Sequence, residues 1–253
     1  MRSPPKPPTV RRRSPRAPNR QRPFVTCNFA LTWDGRISTR NQTPADFSSK
    51  RDKRRLLEIR ATGDAILAGA ATIATDNMSM GLPAEDLRAA RVSRGLPERP
   101  LRVLLTNSGK LDAGLKVFQK TFSPIIVFST TAMPEAVRTK LSNLATLYLH
   151  PAPAVDLHRM LSTLRREHKI RRLVCEGGAR VFRALLAAEL VDEIHLTLCP
   201  RIFGGERAPT ITGIPGEFLP RTTPCVLREM KVIEDECYLR YRVLHPGDHQ
   251  KAD

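Results

Sequence analysis

The sequence predicts an α/β protein: a largely parallel central sheet, helices on both of its faces and an antiparallel hairpin at the C-terminal end. Three observations predict it. Short apolar runs of strand length alternate with amphipathic helical segments through most of the 253 residues, as in a parallel sheet joined by crossover helices. One segment, residues 173–207, reads strand, glycine turn, helix, strand. The last stretch alternates apolar and polar residues on either side of Glu234-Asp235-Glu236, a hairpin pattern.

Taken in order, residues 24–31 (FVTCNFAL) form a buried first strand, ended by Trp33-Asp34-Gly35-Arg36 with Asp-Gly as a turn signal. A polar loop follows. It leads into a helix over 48–60, with Leu56, Leu57 and Ile59 facing inward and Ser48 or Ser49 as N-cap. Residues 64–69 read as a short buried strand, after which Ala70-Ala71-Thr72-Ile73 opens a brief helix. Residues 77–100 read as an exposed connection with one helix near 84–94. Further strands are expected at 101–106, 125–129 and 145–149. An amphipathic helix over 156–168 places Leu157, Met160, Leu161 and Leu164 on one face. Then come the strand Leu173-Val174-Cys175, a helix carrying Phe182, Leu185, Leu186 and Leu190, and a strand over 194–198. The closing hairpin uses 225–233 and 237–244. No internal repeat or second domain is evident, so residues 23–245 are expected to form one domain, with a short tail over 246–253.

Composition sets bounds. A chain of this length buries an ample core. No run of about 18 apolar residues indicates a membrane span. The basic N-terminus lacks the apolar stretch of a signal peptide. The five cysteines (Cys27, Cys175, Cys199, Cys225, Cys237) are scattered, with no Cys-x-x-Cys pair. They suit a reducing, cytoplasmic setting and argue against a zinc site. The histidines show no ligand spacing, and no metal is expected.

The formal charge is +17. Eight of the 42 basic residues and none of the 25 acidic ones lie in residues 1–22, which leaves +9 for the rest. That tail also holds Pro4, Pro5, Pro7, Pro8, Pro15 and Pro18, and it has almost nothing apolar to bury. It is expected to be disordered, with order beginning near Arg22-Pro23. A polyanion-binding arm, a transit peptide and a solvated extension without a partner all fit this composition. The basic body suits phosphorylated ligands.

Ligands of open α/β sheets bind at the carboxyl ends of the strands. Ala30, Thr32 and Asp34 follow the first strand. Gly69, Ala70, Thr72 and Asp76 follow the second, and Glu176, Gly177 and Gly178 follow a later one. Three separated segments thus point to one nucleotide-and-substrate cleft. Adjacent glycines let a ligand approach the backbone, and the helix behind them directs free N–H groups at it. A glycine pair alone also fits a ligand-free turn. Thr72 and Asp76 also fit capping or loop roles, Arg60 also fits a solvated helix end, and Asp34 reads as a turn residue before a catalyst. Glu176 has no evident structural duty, which favours a functional one.

The segments carrying these residues resemble the riboflavin-pathway pyrimidine reductases of the dihydrofolate-reductase-like superfamily. The first motif stands here as Ala30-Leu31-Thr32-Trp33-Asp34-Gly35-Arg36, with Thr where the family prefers Ser. The second is Asp64-Ala65-Ile66-Leu67, Gly69-Ala70-Ala71-Thr72 and Asp76. The third is Glu176-Gly177-Gly178, Leu190-Val191-Asp192-Glu193, Pro200 and Gly204-Gly205. The resemblance spans about residues 22–244. It implies a dihydrofolate-reductase-like three-layer fold, a homodimer with the terminal hairpin as a plausible interface, and NADPH as cofactor. The implied activity is reduction of the ribosylamino group of a diaminopyrimidinone 5′-phosphate to ribitylamino. A diverged relative acting on a pterin or another carbonyl or imine compound is the alternative.

Carried residue by residue, the resemblance places NADPH against Ala30, Thr72, Asp76, Gly177, Gly178, Ala179, Arg180, Val181 and Phe182. It places the substrate against Arg60 and Glu176, with Glu176 as the candidate catalytic carboxyl. Phe47 falls near an aromatic beside the nicotinamide. Two features depart from the family. Its Pro and its phosphate-holding Arg after the Asp are replaced by Asn77-Met78-Ser79-Met80-Gly81-Leu82-Pro83, and Ala45 stands near the place of a substrate-contacting Ser. The zinc-deaminase pattern His-x-Glu with Pro-Cys-x-x-Cys is absent from the sequence, so a stand-alone reductase is expected.

Overall fold

The computed structural model describes residues 21–39, 41, 47–213 and 219–246. Among these residues nine strands form one sheet. They are β1 (Phe24–Thr32), β2 (Ala65–Gly69), β3 (Leu101–Leu105), β4 (Ile125–Thr130), β5 (Thr146–His150), β6 (Arg172–Cys175), β7 (Glu193–Cys199), β8 (Cys225–Ile233) and β9 (Glu236–Val243). Their spatial order is β5-β4-β3-β2-β6-β1-β7-β9-β8. The first seven strands are mutually parallel, and the β8/β9 hairpin joins antiparallel to β7 through β9. Of the two hairpin strands only β8 is an edge, because β9 is paired on both sides, and β5 forms the opposite edge of the sheet.

Alternation along the strands divides the interior into two cores. Val25, Cys27, Phe29 and Leu31 point to one face. There they meet helices α6 (Leu157–Arg166) and α7 (Ala179–Ala187) through Met160, Leu161, Leu164, Val181, Phe182 and Leu185. Ile66, Ala68, Leu104 and Val127 point to the other face. That core takes in Ile73 of α2 (Ala70–Asp76), Phe118 of α4 (Lys116–Gln119) and Leu141 of α5 (Glu135–Leu141). Layered packing of helices over both faces of a mostly parallel sheet is the architecture expected.

Two half-buried carboxylates fix the entries to the central strands. Asp64 accepts from the N–H groups of Arg171 and Arg172 at 2.7 and 2.9 Å, tying β2 to β6. Asp192 accepts from Val25 N at 2.7 Å, tying β1 to β7. Helix α1 (Lys50–Thr62) is capped by Ser49, whose hydroxyl accepts from Asp52 N at 3.0 Å.

The connection over 77–100 departs from its expected exposure. Met80 and Leu82 are buried, and the Arg91 side chain of α3 (Glu85–Val92) is fully enclosed. Its guanidinium donates to the carbonyls of Ala61 and Gly63 at the end of α1 and to Pro97. A cation at a helix C-terminus satisfies its orphan carbonyls, which makes an apparently solvated arginine a core residue. Helices α4 and α5 escape a sequence reading because each is under two turns long and shows no full apolar period.

Arg22, near which order was expected to begin, forms a two-pronged ion pair with Asp192 at 2.6 and 2.9 Å. The remainder of the basic tail (1–20), Ala45 and residues 247–253 lie outside the described residues. No helix among the described residues is long and apolar enough to cross a membrane. Among them no cluster of three or more metal-ligating side chains occurs.

Candidate active site

A cleft of about 510 Å³ opens at the carboxyl ends of the parallel strands. Three chain segments meet there, as expected: Ala30 at the end of β1, Thr72 and Asp76 on α2 beyond β2, and Glu176 to Val181 beyond β6. Arg60 reaches it from α1.

The glycine turn is held by close packing. Gly69 N donates to Gly177 O at 2.9 Å, joining the end of β2 to the turn. Gly177 has φ +110°, a conformation that side chains rarely adopt, and the Gly177–Gly178 peptide is cis. A Cβ on Gly178 would lie 2.6 Å from Thr72 Oγ1, and one on Gly69 would lie 2.9 Å from a Val181 methyl. A side chain at either position would force its neighbour to move. Gly178 caps α7 without a side-chain hydrogen bond to it, so the first-turn N–H groups of α7 have no side-chain acceptor at the cleft wall. This is donor chemistry for a phosphate. Bare backbone, helix N–H groups without a side-chain cap and the exposed cation Arg180 fit a dinucleotide.

Eight of the nine residues expected at the cofactor line the cleft. Phe182 does not, and that assignment is corrected. Its side chain is wholly buried, and its ring packs 4.8 Å from that of Phe29. One helical step past Val181 turns it from the cleft to the core. Phe47 lines the cleft and meets Phe203 edge-on at 5.1 Å. Asp34 is not among the lining residues. It accepts from Thr32 Oγ1 at 2.6 Å and Gly204 N at 2.7 Å, bracing the Gly204-Gly205 loop. The Thr32 hydroxyl is the main reason that its carboxyl sits below the ordinary range. Asp34 is thus the turn residue that its sequence suggested.

Arg60 and Glu176 form a buried two-pronged pair, with Nε–Oε1 at 2.6 Å and Nη2–Oε2 at 2.7 Å. Arg60 Nη1 also donates to Gly81 O at 2.6 Å. Burial opposes the guanidinium charge, but Glu176 more than offsets it and holds the Arg60 pKa above its ordinary value. The solvated-end alternative for Arg60 is therefore excluded. Glu176 has a structural duty that its position in the sequence concealed. Both of its oxygens accept from Arg60, so it fixes Arg60 and shapes the wall. Met78 lines the cleft, while Met80 and Leu82 are buried in place of the family's loop.

Two cleft residues escaped the sequence reading. Asp52, in the first turn of α1, is only 7% exposed. Burial raises its carboxyl above the ordinary range, against the lowering influence of hydroxyls on Thr197 and Ser48. Asn28, on β1, has a buried Oδ1 without a hydrogen-bond partner among the described residues. An acid three residues after a helix-capping serine ordinarily reads as a cap, and an asparagine between apolar strand residues carries no motif. Asp76 stands at the accessible rim, where burial raises its carboxyl as well.

The sequence profile of the RibD C-terminal domain family matches residues 23–232. A protein of Archaeoglobus fulgidus named 2,5-diamino-6-ribosylamino-4(3H)-pyrimidinone 5′-phosphate reductase is 30% identical over 190 residues, covering 75% of this chain and 86% of that one. A protein of the same name from Methanothermobacter thermautotrophicus is 30% identical over 210 residues, covering 83% and 92%. Among solved structures, a pyrimidine reductase-like protein from Corynebacterium diphtheriae superposes with a TM-score of 0.76 at 21% identity, over 88% of this chain and 92% of that one. The fold is shared with that protein.

Proposed function

The chain belongs to the RibD C-terminal domain family, and from that premise we propose that it is an NADPH-dependent reductase of riboflavin biosynthesis. It reduces the ribosylamino group of a diaminopyrimidinone 5′-phosphate to ribitylamino. The observation that carries the proposal is the convergence of β1, β2 and β6 on one cleft, with a bare glycine turn at the start of α7 on one wall. Relatives at 30% identity over most of their length bear the name of this reductase, which supports the substrate class.

When bound, the cofactor supplies the hydride. The chain supplies binding, orientation and exclusion of water. Gly177, Gly178 and the N–H groups that open α7 hold the pyrophosphate. Ala30, Thr72, Asp76 and Ala179 to Val181 line the rest of the cofactor's path, and Arg180 offers its cation to a phosphate there. Arg60, fixed by Glu176, faces the substrate. The test is oxidation of NADPH, followed by absorbance, with the ribosylaminopyrimidinone 5′-phosphate supplied by an upstream enzyme. Turnover is the expected result, and NADPH binding without turnover would redirect the enzyme to another substrate.

A homodimer and a cytoplasmic setting belong to the same proposal. Val226, Leu227, Met230 and Val232 of the edge strand β8 are 37–63% exposed. Such a patch favours cover by a second copy. Sedimentation of the wild type at twice the chain mass, and of Met230→Glu at the chain mass, is the expected pair of results.

A further inference from the structure

Reduction at a carbon–nitrogen double bond needs a proton as well as a hydride. Among the described residues, three carboxyls line the cleft: Glu176, Asp76 and Asp52. Glu176 spends both oxygens on Arg60. Asp76 stands at the open rim on α2, beside the Thr72 that packs on the glycine turn. Asp52 lies deeper, on the α1 wall, and shares the cleft with the unpartnered Asn28 Oδ1.

The geometry around α1 explains why Asp52 is available. An acid three residues after a capping serine ordinarily reaches back to the serine's backbone N–H. Here Glu236 of β9 has taken that place. Ser49 N donates to Glu236 Oε1 at 3.0 Å, and Ser49 Oγ to Oε2 at 2.6 Å. Asp52 is thereby left without the usual capping partner, in a residue that lines the cleft. The groups facing it are Arg55 and Ser48 from its own segment, Thr197 and Cys199 from β7, and Glu236 and Tyr238 from β9. Thr197 Oγ1 stops short of full hydrogen-bond geometry.

These surroundings separate the two carboxyls. Burial pushes Glu236 upward, but donation from Ser49, Tyr238 and Cys199 prevails and holds it below the ordinary range. Burial, with the Glu236 charge behind it, pushes Asp52 the other way. Paired groups driven apart in this manner mark an acid beside a permanent anion.

We propose that Asp52 is the acid of the reaction, delivering its proton to the exocyclic nitrogen of the substrate as hydride arrives at C1′. The proposal rests on the reductase reading above. The ribose ring first opens: the C1′–O4′ bond breaks, the exocyclic N–H proton passes to O4′, and C1′=N forms. The hydride that a bound dihydronicotinamide would supply bonds to C1′. The C=N π pair moves onto nitrogen and takes the Asp52 proton. One hydride and one proton are added, and water at the cleft mouth reprotonates the carboxylate.

Asp52→Asn keeps the shape of the side chain and removes the proton. Its kcat is expected to fall about 100-fold or more, with KM for NADPH unchanged. The wild-type decline in kcat at high pH should vanish with it, because only the protonated carboxyl is active. Glu236→Gln removes the anion behind Asp52 and should shift that decline to lower pH without abolishing it. In the cofactor-free protein, carbon-13 NMR of the aspartate carboxyls should show one titrating above the ordinary range, absent in Asp52→Asn and shifted downward in Glu236→Gln. Wild-type turnover with Asp52→Asn within about threefold of it, or an Asp52 carboxyl that titrates in the ordinary range, overturns the acid role alone. Lack of wild-type turnover on the ribosylamino substrate overturns the functional reading, and the acid role falls with it.

Discussion

The two walls of the cleft are built on different principles. The wall formed by Gly69, Thr72 and Gly177 to Val181 is backbone and small side chains, fitted so tightly that a single Cβ on Gly178 would strike Thr72. The wall formed by α1 is charge. Arg60 is paired with Glu176, and Asp52 is set against Glu236 across a capping serine. The first wall reads a ligand by steric room and free N–H groups. The second reads it by which charges are neutralised and which are left to act. The contrast teaches that a cofactor site and a reacting site on one sheet edge fail in different ways when altered.

The largest effect should come from the charged wall. Glu176→Ala leaves Arg60 buried and unpaired, at a cost of about 3–5 kcal/mol, and should abolish turnover while weakening NADPH binding less. Replacing both partners, Arg60→Met with Glu176→Leu, should recover much of the stability but no activity. Urea unfolding together with single-turnover rates checks both. A double variant as unstable as the single one would break the claim that the loss comes from the stranded charge.

On the steric wall, Gly178→Ala should cost about 1–3 kcal/mol through overpacking and raise the NADPH Kd at least tenfold. Adding Thr72→Ala removes the struck hydroxyl and should restore stability ahead of affinity. Equal losses of stability and affinity in Gly178→Ala alone, unrelieved by Thr72→Ala, would mean that the turn is not set by that contact.

Asp52 supplies a pH-dependent comparison. Its folded pKa is raised, so its contribution to stability is fully present below the unfolded pKa and is lost as pH rises through the folded value. Asp52→Asn should therefore melt at or above the wild type at neutral pH, with the gap closing as the solution is acidified. A variant that melts lower at neutral pH would show that Asp52 is held as an ionised structural group.

Phe182→Leu marks the border between cleft and core. It should cost under about 1.5 kcal/mol and leave the NADPH Kd unchanged by calorimetry. The smallest effect is expected at Arg22→Ala. It removes a partly exposed pair worth at most about 1 kcal/mol, because Asp192 still accepts from Val25 N.

The two walls also differ in how far the sequence discloses them. The glycine wall was legible because its demands are local: a strand end, two glycines and an amphipathic helix are contiguous in the chain. The same locality set one limit. Helical periodicity identifies Phe182 as apolar and near the turn, but whether it faces the cleft or the core depends on the rotation of α7 against β1. The charged wall was half legible. Arg60 and Glu176 each stood out, yet their pairing did not, because 116 residues separate them. Asp52 resembled an ordinary cap until Glu236, on the last strand, was seen to occupy its usual partner. Arg91 resembled a solvated helix residue for the same reason, since its acceptors lie on another helix.

By itself the sequence determined the alternation of strands and helices, the terminal hairpin, and the glycine turn on which a phosphate can rest. These follow from apolar periodicity and from backbone sterics, which act over a few residues. Only the tertiary structure decided which charges are neutralised and which are left at work. That depends on the strand order, which inserts β6 between β2 and β1 and sets β9 beside β7. Electrostatic partners are chosen by distance in space and by shared burial, and neither is written in the spacing of residues along the chain.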